Sequence, residues 1–199
     1  MNKTLIGILG CMLIIAASAW GQDAMYFYNL GLDSSLVSRK IHYFSKALEL
    51  NFRLAAAYQK RGMLYYFQGK YKEMLEDHLS LAELEPFDSE AQLMLAVAYL
   101  NRENYDRAVV TLTRAIELDP RLARAYSYRG EANRPKRMAA EAIQDSTRAI
   151  KLAGNKQVTS RAYATRANAY SKLGKYELAY ADINEALRLD PSFFFYLHP

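Results

Sequence analysis

Ala115-Ile116-Glu117-Leu118, with Pro120 just beyond it, is one of five copies of a short phrase that recurs along the chain. The others are Ala47-Leu48-Glu49-Leu50, Ala82-Glu83-Leu84, Ala149-Ile150-Lys151-Leu152 and Ala186-Leu187-Arg188-Leu189. Ala47, Leu81, Ala115 and Ala149 follow one another at 34 residues, and so do Tyr71 and Tyr105, and Pro86 and Pro120. The last copy lies 37 residues on, which puts an insertion of about three residues near positions 155–160. A fixed period of this length marks a stack of small repeated units.

Within one period the pattern is helical. Ala108, Val109, Leu112, Ala115 and Ile116 recur at three-to-four spacing, which gives one apolar stripe on a helix. Each unit has room for two such helices. Pro86, Pro120 and Pro191 follow the second and cannot continue it. Gly62, Ala96, Gly130 and Ala167 fall where the two helices of a pair cross, and a small side chain there lets the backbones approach. One helical hairpin cannot cover its own apolar face, so neighbours must stack. The expected fold is all-α: a right-handed superhelical array, an α-solenoid, of antiparallel helix pairs.

These residues resemble the tetratricopeptide repeat family. Residues 55–88 supply Tyr58, Gly62, Tyr65, Gly69, Tyr71 and Pro86; residues 89–122 supply Leu95, Ala96, Tyr99, Tyr105, Ala108, Ala115 and Pro120. Residues 123–156 supply Tyr126, Gly130, Ala142 and Ala149, with Asn133 and Gly154 departing from the pattern. Residues 160–193 supply Tyr163, Ala167, Tyr170, Gly174, Tyr176, Ala179, Ala186 and Pro191. A degenerate repeat occupies 22–54 and an apolar tail 194–199.

The first 21 residues read as an address. Lys3 precedes an apolar run from Leu5 to Ala17, and Ala17-Ser18-Ala19 or Ala19-Trp20-Gly21 offers a small-x-small cleavage site. This is the anatomy of a secretory signal peptide, so the expected location is periplasmic or secreted. Two alternatives stand beside it: an uncleaved membrane anchor, and lipidation at Cys11. Cys11 is the one cysteine of the 199 residues, so a cleaved chain has no thiol chemistry.

Composition narrows the function. Half of the residues are hydrophobic, with 9 Gly and 5 Pro, which suits long helices and excludes a disordered chain. The net charge of +5 is spread along the chain, without the basic stripe of a nucleic-acid binder. His42, His78 and His198 form no metal-binding spacing, and His78 takes an aromatic core slot. No phosphate loop, nucleophile elbow or dinucleotide fingerprint is present. Glu73, Glu76 and Asp77 read as a solvated helix face. The expectation is a non-catalytic chain with no cofactor, no metal and no small-molecule substrate.

What the resemblance implies is a peptide groove lined by the first helix of each pair. The positions are Gln59, Met63, Tyr66 and Phe67; then Leu93, Met94, Val97, Leu100 and Asn101; then Arg124, Ser127, Tyr128, Glu131 and Arg134; then Arg161, Ala164, Thr165, Asn168 and Lys172. The first part is apolar and the second basic, which suits a segment with an apolar and an acidic part. A family branch grips a terminal carboxylate with Lys and Asn, but Gln59 and Met63 fill the matching slots here, so that clamp is not intact. Two irregularities stand out. Arg134-Pro135-Lys136-Arg137 is a degenerate turn or a basic contact loop. Phe193, Phe194, Phe195 and Tyr196 are a lid over the last hairpin or a surface for self-association.

Overall fold

Helix α6 (Tyr105–Leu118) shows how the repeat works. The Asn104 side chain caps it by accepting from the Arg107 N–H at 3.3 Å. Ala108, Thr111, Leu112 and Ala115 turn inward, while Val110 lies on the solvent side, 71% exposed. At the far end Asp119 accepts from the Arg121 N–H at 2.9 Å, closing a turn that Pro120 keeps from running on as helix. The same side-chain turn recurs at Asn51 with Arg53, at 3.0 Å, and at Asp190 with Ser192, at 3.0 Å.

The computed structural model describes residues 23–133 and 138–193. Among them there are ten α-helices and no strand, so the all-α helix-pair class read from the period is the fold. The chain divides into two units after Glu85. The first holds α1 (23–33), α2 (Val37–Leu50), α3 (Ala55–Phe67) and α4 (Tyr71–Leu84). The second holds α5 (Ser89–Asn101), α6, α7 (Ala123–Ala132), α8 (Ala139–Leu152), α9 (Lys156–Lys172), α10 (Tyr176–Leu189) and a 3-10 turn, Pro191–Phe193. Within each unit consecutive helices pack as hairpins, and in the second unit α7 also touches both α5 and α9. The segments 1–22, 134–137 and 194–199 lie outside the described residues. The readings of a signal peptide, a basic loop and an apolar tail fall there.

Alanine makes the close packing possible. Ala57, Ala91, Ala125 and Ala162 on first helices, and Ala47, Ala115, Ala149 and Ala186 on second helices, are buried. The crossing positions behave as expected. A Cβ on Gly62 would stand 2.9 Å from His78 Cε1, and one on Gly130 would stand 3.3 Å from the Ala142 carbonyl oxygen. Ala96 and Ala167 are buried at the equivalent points. The insertion near 155–160 becomes extra helix: α9 starts at Lys156, where Asn155 caps it by accepting from the Val158 N–H at 2.9 Å.

In three of the hairpins the turn is closed by a left-handed residue. Gly69 and Gly174 both have φ of +70° there, and the following N–H of Lys70 and Lys175 reaches back to Tyr65 and Tyr170. In the repeat 89–122 the same place is held by Glu103 at φ +56°. A side chain in this region costs about 1 kcal/mol that glycine avoids. Glu103→Gly is expected to raise stability by about 0.5–1 kcal/mol, a gain of a few degrees in a thermal melt. An unchanged or lower melting temperature would contradict this.

Candidate functional site

The strongest polar feature of the fold is a set of arginine–aspartate pairs that the repeat pattern alone does not announce. Arg61 on α3 makes a two-pronged pair with Asp77 on α4: Nε donates to Oδ2 at 3.0 Å and Nη2 to Oδ1 at 2.7 Å. Its Nη1 donates to Ser45 Oγ on α2 at 2.8 Å. Arg129 repeats this with Asp145 on α8, 2.8 Å for both prongs, and with Thr113 on α6 at 3.1 Å. Arg166 repeats it again with Asp182 on α10 at 2.7 and 2.8 Å, and with Thr147 on α8 at 3.1 Å. Ser45 and Thr113 donate in turn to the carbonyls of Ile41 and Val109, at 2.8 and 2.9 Å, which fixes each hydroxyl as an acceptor for arginine.

Each arginine therefore ties its own hairpin together and pins it to the preceding second helix. Tyrosine rings flank the guanidinium groups: Tyr58 and Tyr65 at Arg61, Tyr126 at Arg129, and Tyr163 and Tyr170 at Arg166. The bonds to Asp145 and Asp182 raise Arg129 and Arg166 above the usual guanidinium value. At Arg61 burial opposes the charge, but the bonds to Asp77 outweigh it and its value is also raised. Burial pushes the Asp77 carboxyl up, against the lowering pull of Arg61. Asp77 thus corrects the reading of a solvated acidic face. It is 3% exposed and bonded, because its helical position faces the hairpin seam. In the repeat 89–122 the matching places are Leu95 and Thr111, both buried, so that hairpin closes on apolar contact instead.

The expected groove residues separate into two surfaces and a buried set. In the first unit Met63, Tyr66 and Phe67 are exposed on one side of α3, with Gln59 half-buried behind them. Phe67 is 74% exposed, and its ring meets that of Tyr66 edge-on, centroids 5.5 Å apart. In the second unit Arg124, Tyr128 and Glu131 on α7 share a face with Arg161 on α9. Arg161 lies over the Tyr128 ring at 4.7 Å and pairs with Glu131 at 3.3 Å. Arg124 pairs with Glu90 on α5, one period away. Lys172 is exposed, and Val97, Asn101 and Asn168 are half-buried; Asn101 donates to the Val97 carbonyl at 2.8 Å.

Leu93 and Ser127 correct the groove reading. They are 2% and 1% exposed, since each points into the packing between neighbouring helices, so neither can touch a ligand. Thr165, at 4%, is buried for the same reason. The basic half is also less positive than the sequence implies, because Glu90 and Glu131 oppose Arg124 and Arg161. The Arg–Asp pairs have a readable signal: an arginine followed 16 residues later by aspartate, in three repeats. Among the described residues, no group of three or more His, Cys, Asp or Glu is placed to hold a metal ion, and no helix is long and apolar enough to cross a membrane.

Residues 89–122 and 160–193 match models of the tetratricopeptide repeat, so the chain carries repeats of this kind. It is 29% identical over 147 residues to the DnaJ homolog subfamily C member 7 homolog of Dictyostelium discoideum, across 66% of this chain and 27% of that protein. It is 25% identical over 132 residues to the human RNA polymerase II-associated protein 3, across 63% of this chain and 20% of that protein. The chain thus spans roughly a quarter of the length of these curated relatives. Among solved structures it is similar to MamA, with a TM-score of 0.73 at 22% identity, covering 88% of this chain and 96% of that one. It is also similar to YrrB, described as a tetratricopeptide repeat protein with an unusual peptide-binding site: TM-score 0.67, 21% identity, 90% of this chain and 89% of that one. These two likenesses establish the fold.

Proposed function

We propose that this chain is a non-catalytic interaction module that holds a segment of another protein. Tetratricopeptide repeat proteins generally mediate protein–protein contacts, and YrrB is one solved with a peptide-binding site. The observation that carries the reading is the α7–α9 face, where Arg124, Tyr128, Glu131 and Arg161 stand together around exposed ion pairs. An exposed pair is worth only about 0–1 kcal/mol, so a partner carboxylate can replace Glu90 or Glu131 at little cost. Tyr128 adds a rigid aromatic surface that binds without much loss of freedom. The partner segment is therefore acidic where it meets this face. The stripe of Met63, Tyr66 and Phe67 in the first unit is a separate apolar surface, suited to an aliphatic or aromatic side chain.

A peptide array varying acidic and apolar positions would find the sequence preference, and the best peptide can then be titrated against variants. Tyr128→Ala and Arg124→Ala are each expected to weaken binding by about 1–3 kcal/mol. Unchanged affinity in both variants would remove the α7–α9 face from the reading. The proposed location is outside the cytoplasm, supported by the N-terminal address alone; sequencing the N-terminus of the mature protein tests it.

A further inference from the structure

A cleft opens between α7 and α8, apart from both surfaces above. Its volume is about 490 Å³, ample for several side chains of a bound segment. Tyr126 and Arg129 line it from α7, and Gln144, Thr147, Arg148 and Lys151 from α8. A helix turns about 100° per residue, so Tyr126 and Arg129 leave α7 on the side opposite Arg124, Tyr128 and Glu131.

The charge of this cleft is unbalanced. Asp145, its one carboxylate, is occupied by Arg129 through both oxygens. Arg148 and Lys151 stand nearly one turn apart on α8, both exposed, and no carboxylate among the described residues pairs with either. The cleft is held in shape from behind. Thr147 accepts from Arg166 at 3.1 Å, and Tyr126 donates to the Pro120 carbonyl at 3.3 Å. The Arg148 guanidinium lies 5.9 Å from the Tyr126 ring centroid. A guanidinium over an aromatic ring keeps its fork available for a carboxylate.

We propose that this cleft is a second binding site, which takes an acidic protein segment presenting paired carboxylates to Arg148 and Lys151. Arg148 and Lys151 are about 4.5 Å apart along α8, roughly one to two extended residues, so carboxylates close together in sequence reach both cations. The Gln144 amide adds a donor beside them. The site is independent of the α7–α9 face, and either can fail without the other.

The test is fluorescence anisotropy of the full chain with a labelled hexaglutamate peptide at low salt. Arg148→Ala/Lys151→Ala is expected to lower affinity at least about tenfold, the effect of losing one to two good contacts. Both side chains are exposed, so helicity and melting temperature should hold, and circular dichroism checks this. The charge-matched control Arg53→Ala/Lys60→Ala, whose residues are exposed in the first unit, is expected to keep affinity within about twofold. Three results would overturn the proposal: no binding of the peptide, an affinity that Arg148→Ala/Lys151→Ala leaves unchanged, or an equal loss in the control.

Discussion

Replacing Asp145 with alanine should cost about 3 kcal/mol, read as a lower urea midpoint for the second unit. Asp145 is 5% exposed and takes both prongs of Arg129. Removing it strands a guanidinium whose side chain is only 22% exposed, and breaking a buried pair from one side costs about 3–5 kcal/mol. The lower end applies because water can still reach part of Arg129. The chain itself indicates a rescue. In the repeat 89–122 the same two places are Leu95 and Thr111, and Thr111 satisfies its hydroxyl by donating to the Arg107 carbonyl at 2.8 Å. Arg129→Leu/Asp145→Thr should therefore recover most of the loss, since an apolar pair of fitting volume is often as stable as a buried ion pair. Thr113 keeps its bond to Val109 either way. A loss below about 1 kcal/mol for Asp145→Ala, or a double variant no better than the single, would mean that the pair does not brace the hairpin.

The period of 34 carries the fold because packing repeats as the sequence does. Ala47, Ala115 and Ala149 recur in phase and all are buried, so recurrence alone is enough to identify the seam. The site is less legible, and the reasons are particular. Position within the repeat assigns Leu93 and Ser127 to a surface, but a one-residue step turns a helical side chain by about 100°, enough to move it from groove to seam. Arg124 and Arg161 look like free positive charge in the sequence because their partners, Glu90 and Glu131, lie 34 and 30 residues away. The Arg–Asp staples are hidden for a related reason. Charge is a surface signal when residues are taken one at a time, and Asp77 becomes a seam residue only when paired with the Arg61 that stands 16 positions before it.

Stability should fall as pH drops from about 6.5 to about 4, and His78 is the cause. It sits in the aromatic slot of its repeat, 3% exposed, and burial lowers its pKa from 6.5 to about 4. Its Nδ1 has no partner among the described residues. The unfolded chain takes up a proton near the ordinary value, while the folded chain resists until about 4. The unfolded state thus binds more protons throughout that interval, and stability rises with pH across it. The contribution is complete above about 6.5 and is lost on acidification, about 2 kcal/mol by pH 5 and about 3 kcal/mol below pH 4. Asp77 works the other way, since burial raises its carboxyl above the ordinary 3.8; its protonation favours the fold and offsets part of the loss at the acid end. The change His78→Leu separates the two. Leucine nearly matches histidine in volume and leaves no ring nitrogen unbonded, so stability at neutral pH should hold or improve, and the slope between 4 and 6.5 should flatten. Urea midpoints measured across this range for both proteins decide it. A slope that survives in His78→Leu would assign the acid sensitivity to another group.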